Sequence, residues 1–212
     1  RVLLKYLPAE QSHWNFFTTL QENQQGQSYI MQLSLDAERS LSFIPISKQQ
    51  TQFEVDGKTT LIPKQSFHLE TANKLFIPWF APLKILICGG SPDVPPVTAI
   101  AKQIGWQTQV IDHRRDFALA EQFPDATQVT LIKRSLWDEY GLEPFDCAIV
   151  MTHQFEQDKH YLKRLLNSPI QYIGLLGPKK RRELLLAECG SNSDANRKRV
   201  FGPVGLDIGA MT

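Results

Sequence analysis

One segment, Lys84-Ile-Leu-Ile-Cys-Gly-Gly-Ser-Pro-Asp-Val-Pro-Pro96, constrains this chain more than any other. A short apolar run ends in two glycines and passes directly into a helical pattern, with Val97, Ile100, Ala101 and Ile104 at i, i+3, i+4 and i+7. A strand buried on both faces that feeds a helix is the opening unit of a parallel α/β sheet. The turn departs from the dinucleotide fingerprint Gly-x-Gly-x-x-Gly, because in Gly89-Gly-Ser-Pro-Asp-Val94 only the first glycine is in register. Pro92, Pro95 and Pro96 lack the backbone N–H that a pyrophosphate site needs, and Asp93 puts a carboxylate where the anion would sit. Asp93 reads as an N-cap followed by two prolines in the first helical turn. The expectation is a nucleotide-binding type of sheet whose phosphate cradle has been rebuilt, with any bound phosphate placed elsewhere.

From residue 83 to residue 212 strand and helix alternate, which predicts a Rossmann-like, mainly parallel sheet with helices on both faces. Strands are expected at 85–88, 108–111, 128–132, 147–151 and 172–173. The first helix should end at Gly105, a second should carry Leu162, Leu165 and Leu166 and stop at Pro169, and a third should run over 179–188 to Gly190. Residues 1–82 differ in texture, being rich in Gln, Ser and Thr. They predict a small α+β, mostly antiparallel module: a helix over 11–24, strands near 29–35, 67–69 and 75–77, and a hairpin over 53–61 turning at Asp56-Gly57.

Ligands of open α/β sheets sit outside the carboxyl ends of the strands, so residues 89–93, 112–115, 152–153 and 174–180 should gather at one edge. Asp112 lies 23 residues after Gly89, near the spacing at which an acidic residue grips a ribose diol. Arg114 beside it suits a phosphate, although a solvated strand end is the plainer reading. The run Lys179-Lys-Arg-Arg182 opposes the helix dipole, which a bound anion would relieve, while a solvated face is the default. His153, following Thr152 at the end of a buried strand, is either a hydrogen-bonded structural residue or a ligand contact. Asp158 reads as a helix cap. His153, Asp158 and His160 lack metal-site spacing, so no metal is expected, and with no nucleophile elbow, P-loop or paired carboxylates no catalytic residue is nominated.

A net charge of +1 gives no bulk attraction to nucleic acid or an anionic membrane, and no apolar run approaches the roughly 18 residues of a membrane span. Three cysteines form no disulfide framework and fit a reducing cytosol, so a cytoplasmic location is the expectation. Opening on Arg1 rather than Met, the chain is expected to be a fragment or a processed form.

Residues 83–212 resemble the xanthine dehydrogenase accessory factor family (XdhC/CoxI) in its C-terminal Rossmann domain. The matching residues include Gly89 with Pro92-Asp93, Ile104-Gly-Trp106, Asp112 with Arg114 and Phe117, and Phe123-Pro124. They continue through Met151-Thr-His153 with Asp158 and Leu162, Tyr172-Ile-Gly-Leu-Leu-Gly177 with Arg181 and Arg182, and Gly202-Pro-Val-Gly-Leu-Asp-Ile-Gly209. The resemblance implies a maturation factor, not itself a metabolic enzyme. It would bind the molybdenum cofactor (molybdopterin), assist its sulfuration by a cysteine desulfurase, and deliver it to a xanthine dehydrogenase-type molybdoenzyme, acting as a homodimer. The convergence of strand ends nominates Gly89, Gly90, Ser91, Asp93, Asp112, Arg114, Thr152, His153, Gly174, Gly177, Lys179 and Lys180 as the positions that would bind this cofactor. Pterin edges would meet Asp93, Asp112 and His153, and the phosphate Arg114 or the cluster at 179–182. The sequence departs from the family pattern at Ser91, where many members carry Gly, and at Pro178, where many carry Ser. It also lacks the Ser-x-Pro-Arg and Gly-Gly-Cys segments that many members carry earlier in the chain. Two other readings stay open: an NAD(P)-dependent oxidoreductase, suggested by the Asp112 spacing, and a nucleotide-sensing regulatory domain.

Overall fold

Alternating apolar strands and helix-forming segments produce the expected parallel sheet. The computed structural model describes residues 28–34, 41–47, 52–55, 57–62, 69–70, 73–190 and 193–205. The chain divides into two compact units, residues 1–81 and 82–212.

In the first unit, β1 (Ser28–Ser34), β2 (Leu41–Ile46), β5 (Leu69–Glu70) and β6 (Lys74–Trp79) form an antiparallel sheet in the order β2-β1-β6-β5. β3 (Gln52–Val55) and β4 (Lys58–Leu61) form the expected hairpin, Val55 facing Lys58 and Gly57 at φ 74°. Ile30, Ile46, Phe53, Ile62 and Phe76 make its core, with Phe53 edge-on to Phe76 at 5.3 Å between centroids. The helix expected over 11–24 lies outside the described residues.

The second unit carries the site. Its strands are β7 (Lys84–Cys88), β8 (Gln107–Asp112), β9 (Gln128–Leu131), β10 (Cys147–Val150), β11 (Tyr172–Leu175) and β12 (Val200–Phe201). They pair in parallel in the order β12-β11-β10-β7-β8-β9, the doubly wound order in which the chain works outward from β7 on one side and from β10 on the other. Side-chain alternation along β7 sorts the core onto two faces. Ile85 and Ile87 meet Val94, Val110, Phe123 and Met151, whereas Leu86 and Cys88 meet Leu162, Leu165, Leu185 and Leu186. Each fully buried aliphatic side chain contributes roughly 2 kcal/mol.

The helices are α1 (Val94–Gln103), α2 (Phe155–Leu165), α3 (Lys179–Glu188) and α4 (Asp194–Arg199). The buried stripe of α1 begins at Val94 and continues through Thr98 and Ala101, with Val97 partly buried, so the expected stripe is turned. Ile100 and Ile104, expected in the core, are 61% and 55% exposed. Asp93 occupies the N-cap position but makes no side-chain cap bond. Asp158 does not cap α2 either; Gln154 holds that position, and Asp158 lies buried in the first turn. The link from β8 to β9 is built from two 3₁₀ turns, Arg115–Phe117 and Ala120–Gln122, instead of a helix. A further 3₁₀ segment, Arg134–Glu139, precedes β10 and buries Trp137. Arg199, at the end of α4, donates to the carbonyls of Leu166, Ser168 and Ile170, which ties β12 to the end of α2. No helix among the described residues is long and apolar enough to cross a membrane, and among those residues no three His, Cys, Asp or Glu side chains are placed to hold a metal ion.

Candidate functional site

The strand order reverses between β7 and β10, and such a reversal opens a crevice at the carboxyl ends of the strands. Residues 89–93, 112–117, 151–154 and 176–178 emerge there, and the two sides of the crevice are built differently.

On the β7–β8 side the loops close on one another. Gly89 N–H donates to Ile111 O at 2.8 Å, and Gly90 N–H to Asp112 Oδ2 at 2.9 Å. Asp112 is fully buried and also accepts from Arg114 N–H at 2.8 Å, Arg114 Nε at 3.0 Å and Arg114 Nη2 at 2.8 Å. A carboxylate has about four acceptor sites, and these donors fill them. Burial pushes the Asp112 carboxyl up, but the Arg114 guanidinium and the Arg114 and Gly90 N–H groups outweigh it and hold the group below its ordinary value. Burial lowers the His113 imidazole beside it, against the pull of Asp112. Arg114 lies over the Phe117 ring at 3.7 Å from the centroid. The backbone following it lies so close to the turn that a Cβ at Gly90 would sit 1.8 Å from Phe117 O.

The start of α1 is equally unsuited to a diphosphate. Val94 N–H donates to Ser91 O at 3.0 Å, and Pro95 and Pro96 have no N–H to offer. Ser91 is buried and donates through Oγ to Met151 O at 2.9 Å, stitching the β7 turn to the end of β10. Asp112 and Arg114, nominated for ribose and phosphate, therefore hold this side of the crevice shut.

On the β10–β11 side the polar groups surround a space. His153 is the only described non-glycine residue with positive φ, at 62°, and its Nε2 lies 3.0 Å from Asp93 Oδ2 across the crevice. Asp93 Oδ1 is buried without a hydrogen-bond partner. Thr152 donates through Oγ1 to Asp158 Oδ1 at 2.5 Å and through N–H to the same atom at 3.2 Å. Asp158 Oδ2 accepts from Arg181 Nη2 at 2.7 Å, and the guanidinium lies 5.3 Å from the Phe155 ring centroid. His153, Asp158, Leu176, Gly177 and Arg181 line a cavity of about 190 Å³. Beside it Lys179 and Lys180 stand exposed on the first turn of α3, after the N-cap Pro178.

The structure thus brings Asp93, Thr152, His153, Gly177, Lys179 and Lys180 to the open side and places Gly89, Gly90, Ser91, Asp112 and Arg114 in the closed one. Gly174 belongs to neither, being inside β11 beneath Val204. Sequence reasoning did not nominate Asp158 or Leu176, and it reached Arg181 only as a member of the basic cluster at 179–182. The available signal was the pair of charges at 158 and 181, one read as a cap and the other as a member of a basic run. A larger groove of about 440 Å³, lined by Arg134, Glu156, Lys159, His160, Lys163 and Glu188, includes a Lys159 already paired with Glu156 at 2.8 Å and with Glu188 at 3.4 Å. Cys88 is fully buried, and burial raises its thiol well above the ordinary range, so it is not a nucleophile.

Known proteins share this architecture. The structure is similar to that of a xanthine dehydrogenase from Bacillus halodurans, with a TM-score of 0.70 and 23% identity over 93% of this chain and 61% of that one. In sequence the chain is 30% identical to a probable xanthine dehydrogenase subunit of Bacillus subtilis, over 68% of this chain and 42% of that protein. It is 25% identical to YqeB, an uncharacterised protein of Escherichia coli, over 61% of this chain and 24% of that protein. The chain thus spans less than half the length of either curated relative. The family model described as the XdhC Rossmann domain matches residues 85–212, and the chain belongs to that family.

Proposed function

We propose that this chain binds the molybdenum cofactor at the open side of the crevice, assists its sulfuration, and delivers it to a xanthine dehydrogenase-type enzyme. One observation carries the reading: the side that would seat a dinucleotide is closed by the chain's own hydrogen bonds, while the opposite side keeps a cavity flanked by exposed cations. The residues present fit a phosphorylated pterin. Asp93 Oδ1 lacks a donor, Arg181 has donors beyond the one given to Asp158, and pterin edges carry both N–H and carbonyl groups. Lys179 and Lys180, exposed at the head of α3, suit the phosphate. When bound, the cofactor supplies the molybdenum centre on which the recipient enzyme's chemistry depends. The chain's own residues hold and orient it. A cysteine desulfurase as sulfur donor and a homodimeric assembly complete the proposal.

An NAD(P)-dependent oxidoreductase finds no support here, since Asp112 has no acceptor site left for a ribose diol. The test is calorimetric titration of the purified chain with molybdopterin and, separately, with NADH. Molybdopterin should bind, and replacing both Lys179 and Lys180 by Ala should weaken it about tenfold, the equivalent of roughly 1.4 kcal/mol. Because both side chains are exposed, the unfolding midpoint should not move. Tight binding of NADH with none of molybdopterin would reverse the assignment.

A further inference from the structure

The cavity has a donor–acceptor pattern that specifies the head group it accepts. The carboxylate of Asp93 only accepts hydrogen bonds, so the proton shared with it must be carried by His153 Nε2. In the neutral ring this leaves Nδ1 as an acceptor. The left-handed backbone at His153, φ 62°, is uncommon outside glycine, although His, like Asn and Asp, takes it more readily than other residues. Here it accompanies an imidazole paired across the crevice. Arg181 offers the opposite character. Its Nη2 is engaged by Asp158, and the rest of the fork makes no hydrogen bond among the described residues. The Asp158 oxygens are themselves taken, one by Thr152 and the other by Arg181. Leu176 and Gly177 supply the remaining, uncharged walls.

Resting on the cofactor-binding reading above, we infer that this cavity reads the lactam edge of a bicyclic heterocycle, its ring N–H donating to His153 Nδ1 and its adjacent carbonyl accepting from Arg181. Two alternatives fit less well. A phosphate placed here would satisfy Arg181 but would find a donor at Nδ1 only on a protonated ring, whereas Lys179 and Lys180 offer donors whatever the state of His153. A whole dinucleotide is too large: about 190 Å³ lies below the range of roughly 300–1,000 Å³ of sites that enclose drug-sized ligands, so a ring system enters and its substituents remain outside.

The probes are 6-carboxypterin, followed by its own fluorescence, its N3-methyl derivative, which lacks the ring N–H, and molybdopterin. The key variant is His153→Gly, which accepts the left-handed backbone and therefore removes the imidazole without straining the fold. Unfolding midpoints confirm that the variants remain folded. The wild-type chain should bind 6-carboxypterin, and methylation at N3 should weaken binding at least tenfold. His153→Gly should weaken 6-carboxypterin about tenfold while leaving the N3-methyl compound unchanged, and Arg181→Lys should weaken both. Equal binding of the two pterins, an unaltered affinity in folded His153→Gly, or binding of molybdopterin without binding of 6-carboxypterin each overturns this inference and leaves the cofactor reading intact. Failure of the wild-type chain to bind molybdopterin at all defeats the cofactor reading itself.

Discussion

The two sides of the crevice use the same ingredients to opposite ends. Each has a buried carboxylate close to a strand end, a guanidinium paired to it, and an aromatic ring beneath that guanidinium: Asp112, Arg114 and Phe117 on one side, Asp158, Arg181 and Phe155 on the other. Distance along the chain separates their effects. Asp112 and Arg114 are two residues apart, so their pairing folds a loop back on itself and lays Phe117 O against Gly90. Asp158 and Arg181 are 23 residues apart and belong to different helices, so their pairing braces α2 against α3 and leaves the loops between them apart. A local ion pair closes its side; a long-range one frames a cavity.

The strongest way to break this contrast is Gly90→Ala. The added Cβ would stand 1.8 Å from a backbone carbonyl, which no rotamer change can relieve, so the loop must lift away. The expected cost is about 3 kcal/mol, read as a lower midpoint in urea. A variant as stable as the parent would show that the closed side is not held as described. Asp112→Asn comes next, at about 2 kcal/mol, because the amide keeps an acceptor for one N–H but loses the charge that holds the Arg114 fork. The same pair sets a pH dependence. The folded-state Asp112 carboxyl titrates below its unfolded value of about 3.9, so its contribution is fully present above that value. It is lost as pH falls through the lower folded-state value. Acid unfolding of the parent should therefore steepen below about pH 4, and Asp112→Asn should flatten that limb.

How far the sequence foretells all this depends on the range of each interaction. Buried parallel strands such as β7 and β10 announce themselves as short apolar runs, and α3 begins and ends where Pro178 and Gly190 mark it. The hairpin of the first unit follows from a two-residue turn with glycine at positive φ. The closed loop escapes sequence reasoning because 3₁₀ turns carry no hydrophobic period, and the approach of Phe117 to Gly90 is a contact between segments. Ile100 and Ile104 are misplaced by a stripe that starts at Val97, because Val94, between the aspartate at the N-cap position and two prolines, is already helical and buried. Of the candidate ligand residues, the convergence of strand ends is legible from topology. Which carboxylate would be occupied and which would frame a space is not, since Asp112 and Asp158 look alike until their partners are known.

The finest discrimination between the two sides comes from the glycine of the open one. Gly177 has φ 112°, and a Cβ there would lie 2.8 Å from Arg181 Cδ. Unlike the carbonyl over Gly90, this neighbour is part of a flexible side chain, so Gly177→Ala should cost only about 1 kcal/mol, mostly from the backbone. Its main consequence should be displacement of Arg181 from its place between Asp158 and the Phe155 ring. Binding and stability therefore separate in opposite directions at the two glycines: Gly90→Ala should lower the unfolding midpoint most, whereas Gly177→Ala should weaken pterin binding severalfold with a small shift in midpoint. Measuring both quantities for both variants checks the contrast directly. If Gly177→Ala binds as the parent does, Arg181 does not need its observed position to serve the cavity, and the long-range pair is a brace between helices and nothing more.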